Sequence, residues 1–159
     1  MTAEAPDEED PRRGDEMLMR ISNEMVRAQK QFFGKGPTQA KSYILDDMLI
    51  IVMRGGMTTA EKTLLDFGQQ DLVRQFRQTF ENEMTKRLTD MVEDITGRSV
   101  CTYQSQVMFD PDVVVEMFVF DEPGSPGGRG ATGLAQLEED DRGAATDEAA
   151  LDSPSGGGQ

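Results

Sequence analysis

With 159 residues the chain has room for one modest domain, and 30 Asp plus Glu against 16 Lys plus Arg give it a formal charge of −14. An acidic surface repels phosphate backbones and anionic lipid, which disfavours nucleic-acid and membrane-surface binding. The absence of histidine and a single cysteine, Cys101, remove the commonest general base, any intrachain disulfide and the ligands of a structural zinc site.

The charge is uneven. Residues 1–14 carry five acids and two arginines, and residues 123–159 seven acids and two arginines. Both segments are polar, acidic and broken by Pro, Gly and Ser, so they read as disordered tails flanking an ordered domain over 15–122. Within the second tail, residues 134–151 have a few apolar positions at loose helical spacing, but a solvated acidic segment accounts for them. The longest apolar run, Met48 to Met53, falls far below the roughly 18 residues of a membrane span. The polar, acidic N-terminus is unlike a signal peptide. These features lead us to expect a soluble cytoplasmic protein without direct membrane insertion. Its acidity serves solubility or a high-salt cytoplasm equally well.

The ordered part opens with a helix from Asp15 or Glu16 to Phe33. Met17, Leu18, Ile21, Met25, Ala28 and Phe32 recur three and four apart on one face, Asp15 is a candidate N-cap, and Gly34 is a stop. Lys35 to Gln39 reads as loop. A strand over Ala40–Leu45 and another over Met48–Arg54 are joined at Asp46-Asp47, residues that tolerate the left-handed conformations of a two-residue hairpin. "MLIIVM" lacks alternation, which predicts a central strand covered on both faces.

Thr58 and Glu61 form a capping box that starts a short helix ending near Gly68. A long helix over Gln70–Thr96 follows, stopped by Gly97. Its apolar stripe reads Leu72, Val73, Phe76, Phe80, Met84, Leu88, Met91, Val92 and Ile95. At 1.5 Å per residue it spans about 40 Å, more than a small sheet covers. Two strands close the domain, Val100–Phe109 and Val113–Phe120, with Asp110-Pro111-Asp112 as the turn. In the first, Cys101, Tyr103, Ser105, Val107 and Phe109 share a face; the second is apolar except for Glu116. The order α-β-β-α-α-β-β predicts an α+β two-layer sandwich, four mainly antiparallel strands with helices on one face.

Chemistry is sparse in this frame. The carboxylate pairs Asp46-Asp47, Glu93-Asp94 and Asp110/Asp112 fall at turns or on a polar helical face, where solvation explains them. "FFGKGPTQAKS" (32–42) suggests a phosphate loop, but aligning Lys41-Ser42 to a Walker A motif puts Lys35 and Ala40 where its glycines belong. The order is also helix then strand, so no helix N-terminus points at the loop. Gly34 as helix stop and Pro37 as a stiff entry to the sheet fit better. No catalytic residue, metal ligand or cofactor site emerges, and an enzyme is not expected.

The succession of Gly34–Pro37, Tyr43–Asp47, Met48–Arg54 and Thr58–Lys62, with the long helix ending in "EDITGRSV", resembles the MpsC-like family. The resemblance covers nearly all of the ordered domain and neither tail. It implies a small accessory component of a bacterial cation-linked system that generates membrane potential and supports inorganic-carbon uptake. It brings no catalytic residues to carry over.

The expectation is a non-enzymatic accessory or interaction module, a partner of itself or of a membrane complex. Phe76, Phe80, Met84, Leu88 and Met91 on the long helix are its candidate interface, and homodimerisation through that helix its simplest form. Eleven methionines suit an adaptable binding surface, although they serve equally to fill a small core. The alternative is a small ligand- or nucleic-acid-binding module built on Gly34, Lys35, Gly36, Pro37 and Lys41.

Overall fold

Pro11 opens the first helix of the computed structural model, which describes residues 11–122. Helix α1 (Pro11–Phe33) therefore starts a turn before the expected Asp15. Proline suits a first-turn position because the N–H it lacks has no intrahelical partner there. Asp15 consequently lies inside the helix instead of capping it, and residues 11–14 are helical. The rest of the expected tails, 1–10 and 123–159, lies outside the described residues. Gly34, at φ 76, closes the helix with its amide on the Lys30 carbonyl at 2.9 Å.

Strands β1 (Gln39–Leu45) and β2 (Met48–Arg54) form the first hairpin, with Leu45 opposite Met48. Its turn needs one left-handed residue, and Asp46 supplies it at φ 50. Helix α2 (Thr59–Asp66) begins with the complete capping box: the Thr58 hydroxyl accepts from the Glu61 amide, and the Glu61 carboxylate accepts from the Thr58 amide. Helix α3 (Gln70–Thr96) ends at Gly97, which takes φ 68 and donates its amide to the Glu93 carbonyl at 2.8 Å. Strands β3 (Val100–Met108) and β4 (Val113–Phe120) complete an antiparallel sheet of order β1-β2-β4-β3.

This is the α+β arrangement the element order implies, with α1 lying against β1 and α3 against β3. Ile21 and Met25 of α1 and Met84, Leu88 and Val92 of α3 meet Leu49, Ile51, Met53, Val107, Val114, Phe118 and Phe120 of the sheet in one core. Phe33 ties the helices together further out, with ring centroids 5.0 Å from Phe80 and 6.2 Å from Phe76.

Three details depart from the pattern read in the sequence. A bulge between Val100 and Thr102 resets the alternation of β3, so Val100 packs on the core and Cys101 is exposed. The buried line of α3 runs Val73, Arg77, Glu81, Met84, Leu88, Val92, whereas Leu72 and Phe76 are 50% and 45% exposed. Third, β2 alternates in burial: Leu49, Ile51 and Met53 are buried under the helices, while Met48, Ile50 and Val52 are only half-buried. Among the described residues, therefore, the strand is covered on one face instead of two.

Candidate functional site

Two features stand out once the layers are assembled: a polar network buried between helices and sheet, and an apolar surface on the opposite side of the sheet.

The network begins at the capping box. Glu61 is 3% exposed, and both its oxygens bind the Arg77 guanidinium, Oε1 with Nε and Oε2 with Nη2. Arg77, itself 2% exposed, also donates to the Gly56 carbonyl at 3.2 Å and stacks 4.1 Å over the Phe33 ring. Burial pushes the Glu61 carboxyl up, but Arg77 and the Thr58 amide and hydroxyl more than offset it and hold the pKa below its ordinary value.

Deeper in, Glu116 of β4 is fully buried. It accepts from the Tyr103 hydroxyl at 2.6 Å and from Gln29 Nε2 at 3.3 Å. Burial pushes its carboxyl up to about 7, against the lowering effect of Tyr103 and Ser105, with Glu81 adding to the rise. Glu81 is raised for the same first reason, desolvation. The Ser105 hydroxyl lies near enough to favour the charged forms of both acids, yet its oxygen meets hydrogen-bond geometry with no partner. Tyr103 is held protonated by burial and by the neighbouring Glu116.

The arrangement anchors α1, α2, α3, β3 and β4 to one another. A shallow depression beside it is lined by Gln29, Pro37, Met53, Gly56, Arg77 and Val114. In the sequence Thr58 and Glu61 stood out as a capping box, and Glu116 and Ser105 as polar residues among apolar ones. Arg77 and Glu81 were missed; their signal was four-residue spacing from Val73, continuous with Met84.

The second feature follows from strand alternation. The sheet face away from the helices carries Met48, Ile50 and Val52 of β2 and Val115, Met117 and Val119 of β4. All six are half-buried, their accessible parts facing outward. Register places Tyr43 beside Ile50 and Leu45 beside Met48 on β1, 40% and 59% exposed. On the other flank, β3 presents Thr102, Gln104 and Gln106 and, at its end, Met108, 38% exposed. The result is an apolar centre two strands wide with one polar border. Surfaces of this kind mark interaction sites more often than accidents of composition.

The candidate residues fall differently from their grouping in sequence. Met84 and Leu88 are buried in the chain's own core, Phe80 and Met91 are half-buried against it, and Phe76 alone of the five is exposed. In the Gly34–Lys41 stretch, Lys35 Nζ donates to the Met57 carbonyl at 3.0 Å, and Pro37 packs 3.6 Å from the position of a Gly56 Cβ. A Cβ on Gly36 would stand 3.3 Å from the Val26 carbonyl oxygen, so loop and helix are closely apposed. Lys41 is on the open sheet face with its ammonium 5.1 Å from the Tyr43 ring centroid. The two lysines thus sit on different elements and engage different groups.

Fold and site together define a small α+β domain in which the described residues cover one sheet face and leave the other open. The chain belongs to the MpsC family: the family model described as "Na+-translocating membrane potential-generating system (MpsC)" matches residues 15–122. Similar proteins include two from Bacillus subtilis (strain 168). "Uncharacterized protein YrhF" is 22% identical over 102 residues, 62% of this chain and 84% of that protein. "Uncharacterized protein YbcI" is 27% identical over 88 residues, 55% of this chain and 71% of that protein. No solved structure matches. No helix among the described residues is long and apolar enough to cross a membrane.

Proposed function

We propose that the chain is a non-enzymatic interaction module whose open sheet face binds protein, and that it serves as an accessory subunit of a cation-linked membrane-potential system. The observation that carries this reading is a conflict between β2 and its surroundings. "MLIIVM" has the composition of a strand buried on both sides, yet the described residues cover only Leu49, Ile51 and Met53. An apolar strand face retained in the open is best accounted for by a partner that covers it. The family description supplies the membrane system as context, and the acids of the buried network serve to lock the layers.

The test is retention of a partner by the tagged full chain, compared with Ile50→Glu and Leu45→Glu. The face accounts for binding when both substitutions release the partner while circular dichroism stays unchanged. A partner retained equally by both folded variants contradicts the proposal.

A further inference from the structure

Beyond binding protein in general, we infer that the occupant of the open sheet face is a second copy of this chain, packed sheet on sheet; the inference rests on the reading above. Size is the first argument. Four strands at about 4.8 Å spacing and seven residues at about 3.4 Å rise make a face of roughly 19 by 23 Å, about 440 Å² in projection. Two such faces together come to roughly 880 Å² in projection, which side-chain relief raises towards the low end of the ~1,200–2,000 Å² buried in specific interfaces.

Layout is the second argument. A two-fold contact uses one patch twice, and it needs that patch to complement itself. Here most of the apolar residues stand on the two central strands, β2 and β4, with Tyr43 and Leu45 beside them on β1, while Thr102, Gln104 and Gln106 border the other edge, which ends in Met108. A two-fold axis running along the strands would lay β2 of one copy over β4 of the other. Met48, Ile50 and Val52 would then face Val115, Met117 and Val119, with the β3 border over β1. Two sheets packed in this way stand about 10 Å apart, and interdigitating aliphatic side chains fill such a gap. An apolar centre with polar residues along one border has part of the core-and-rim anatomy of a protein interface.

Charge is the third. The chain carries −14, so two copies repel through most contacts. Among the described residues, the strand positions of the open face include no acid; their charged residues are Lys41 and Arg54, both towards one end of the β1–β2 pair. Contact through this face keeps acids out of the interface.

The experiment is sedimentation equilibrium of the full chain across a wide concentration range, with Ile50→Glu, Leu45→Glu and, on the exposed part of α3, Phe76→Ser. A concentration-dependent dimer is expected, with its dissociation constant raised at least about tenfold by each sheet-face substitution and left unchanged by Phe76→Ser. Leu45 is 59% exposed, so Leu45→Glu reads the interface even if Ile50→Glu fails to fold. A monomer at every concentration overturns the inference, as does a dimer sensitive only to Phe76→Ser. A monomer that still holds another protein through Ile50 and Leu45 overturns self-association and leaves the interaction module standing. A monomer whose protein contacts ignore both residues removes both.

Discussion

At the scale of single residues, Arg77 is the side chain on which most others depend. It neutralises Glu61, tempers Glu81, donates to Gly56 and covers Phe33. Removing one partner of a buried ion pair strands the other without water, at a cost of about 3–5 kcal/mol. Urea unfolding of Arg77→Ala should show a loss of that size, while joint replacement of Arg77 and Glu61 by Met and Leu should lose less. Glu116 makes a prediction about pH. Its carboxyl is raised from 4.5 to about 7 in the folded protein, so the folded state holds that proton more tightly than the unfolded chain does. The resulting stabilisation is complete below about 4.5 and is lost as pH rises to about 7, with Glu81 acting in the same direction. Glu61, held low, works oppositely: its stabilisation is present above its ordinary value and lost in acid. Stability should therefore peak in mild acid, and Glu116→Gln should flatten the fall towards neutrality, a difference on the order of 3 kcal/mol at pH 8. An unfolding midpoint for Glu116→Gln that tracks the wild type at every pH would contradict this assignment.

Among the elements, α2 is short and holds Glu61 in place through its own capping box, so cap and network are coupled. Thr58→Ala should cost about 1 kcal/mol in denaturant unfolding. Replacing Glu61 by Ala should cost clearly more, because it removes the cap and strands Arg77 together. Gly55→Ala should destabilise by more than a routine surface change: φ is +71, and a Cβ would stand 2.5 Å from Thr38 Oγ1. Apart from the start of α1, where Pro11 and not Asp15 opens the helix, most element boundaries were legible because local chemistry sets them. The Thr58/Glu61 box, the Gly97 stop and the Asp46-Asp47 turn each satisfy backbone groups within a few residues. The burial of Arg77 and Glu81 was missed despite their four-residue spacing from Val73, because a charge on a helix reads as solvated until the fold brings Glu61 beside Arg77. The β3 bulge was hidden for a similar reason: Val100 and Cys101 are both apolar, and only pairing with Phe120 chooses between them.

For the whole molecule, the element order led to the architecture, while the position of the candidate surface had to come from assembly. The long helix, with Phe76, Phe80, Met84, Leu88 and Met91, was the natural candidate for an interface, yet two of these five are buried within the chain's own core. The apolar residues left over stand across the sheet, where "MLIIVM" had already signalled burial on both sides. The most direct measurement is methyl NMR of the full chain with a soluble paramagnetic agent, titrated from low to high protein concentration. Methyl groups of Ile50, Val52, Val115 and Val119 should be bleached when dilute and protected when concentrated, while Leu72, exposed on α3, is bleached throughout. Sheet-face methyls that stay bleached at every concentration and in the presence of a bound partner would contradict the account.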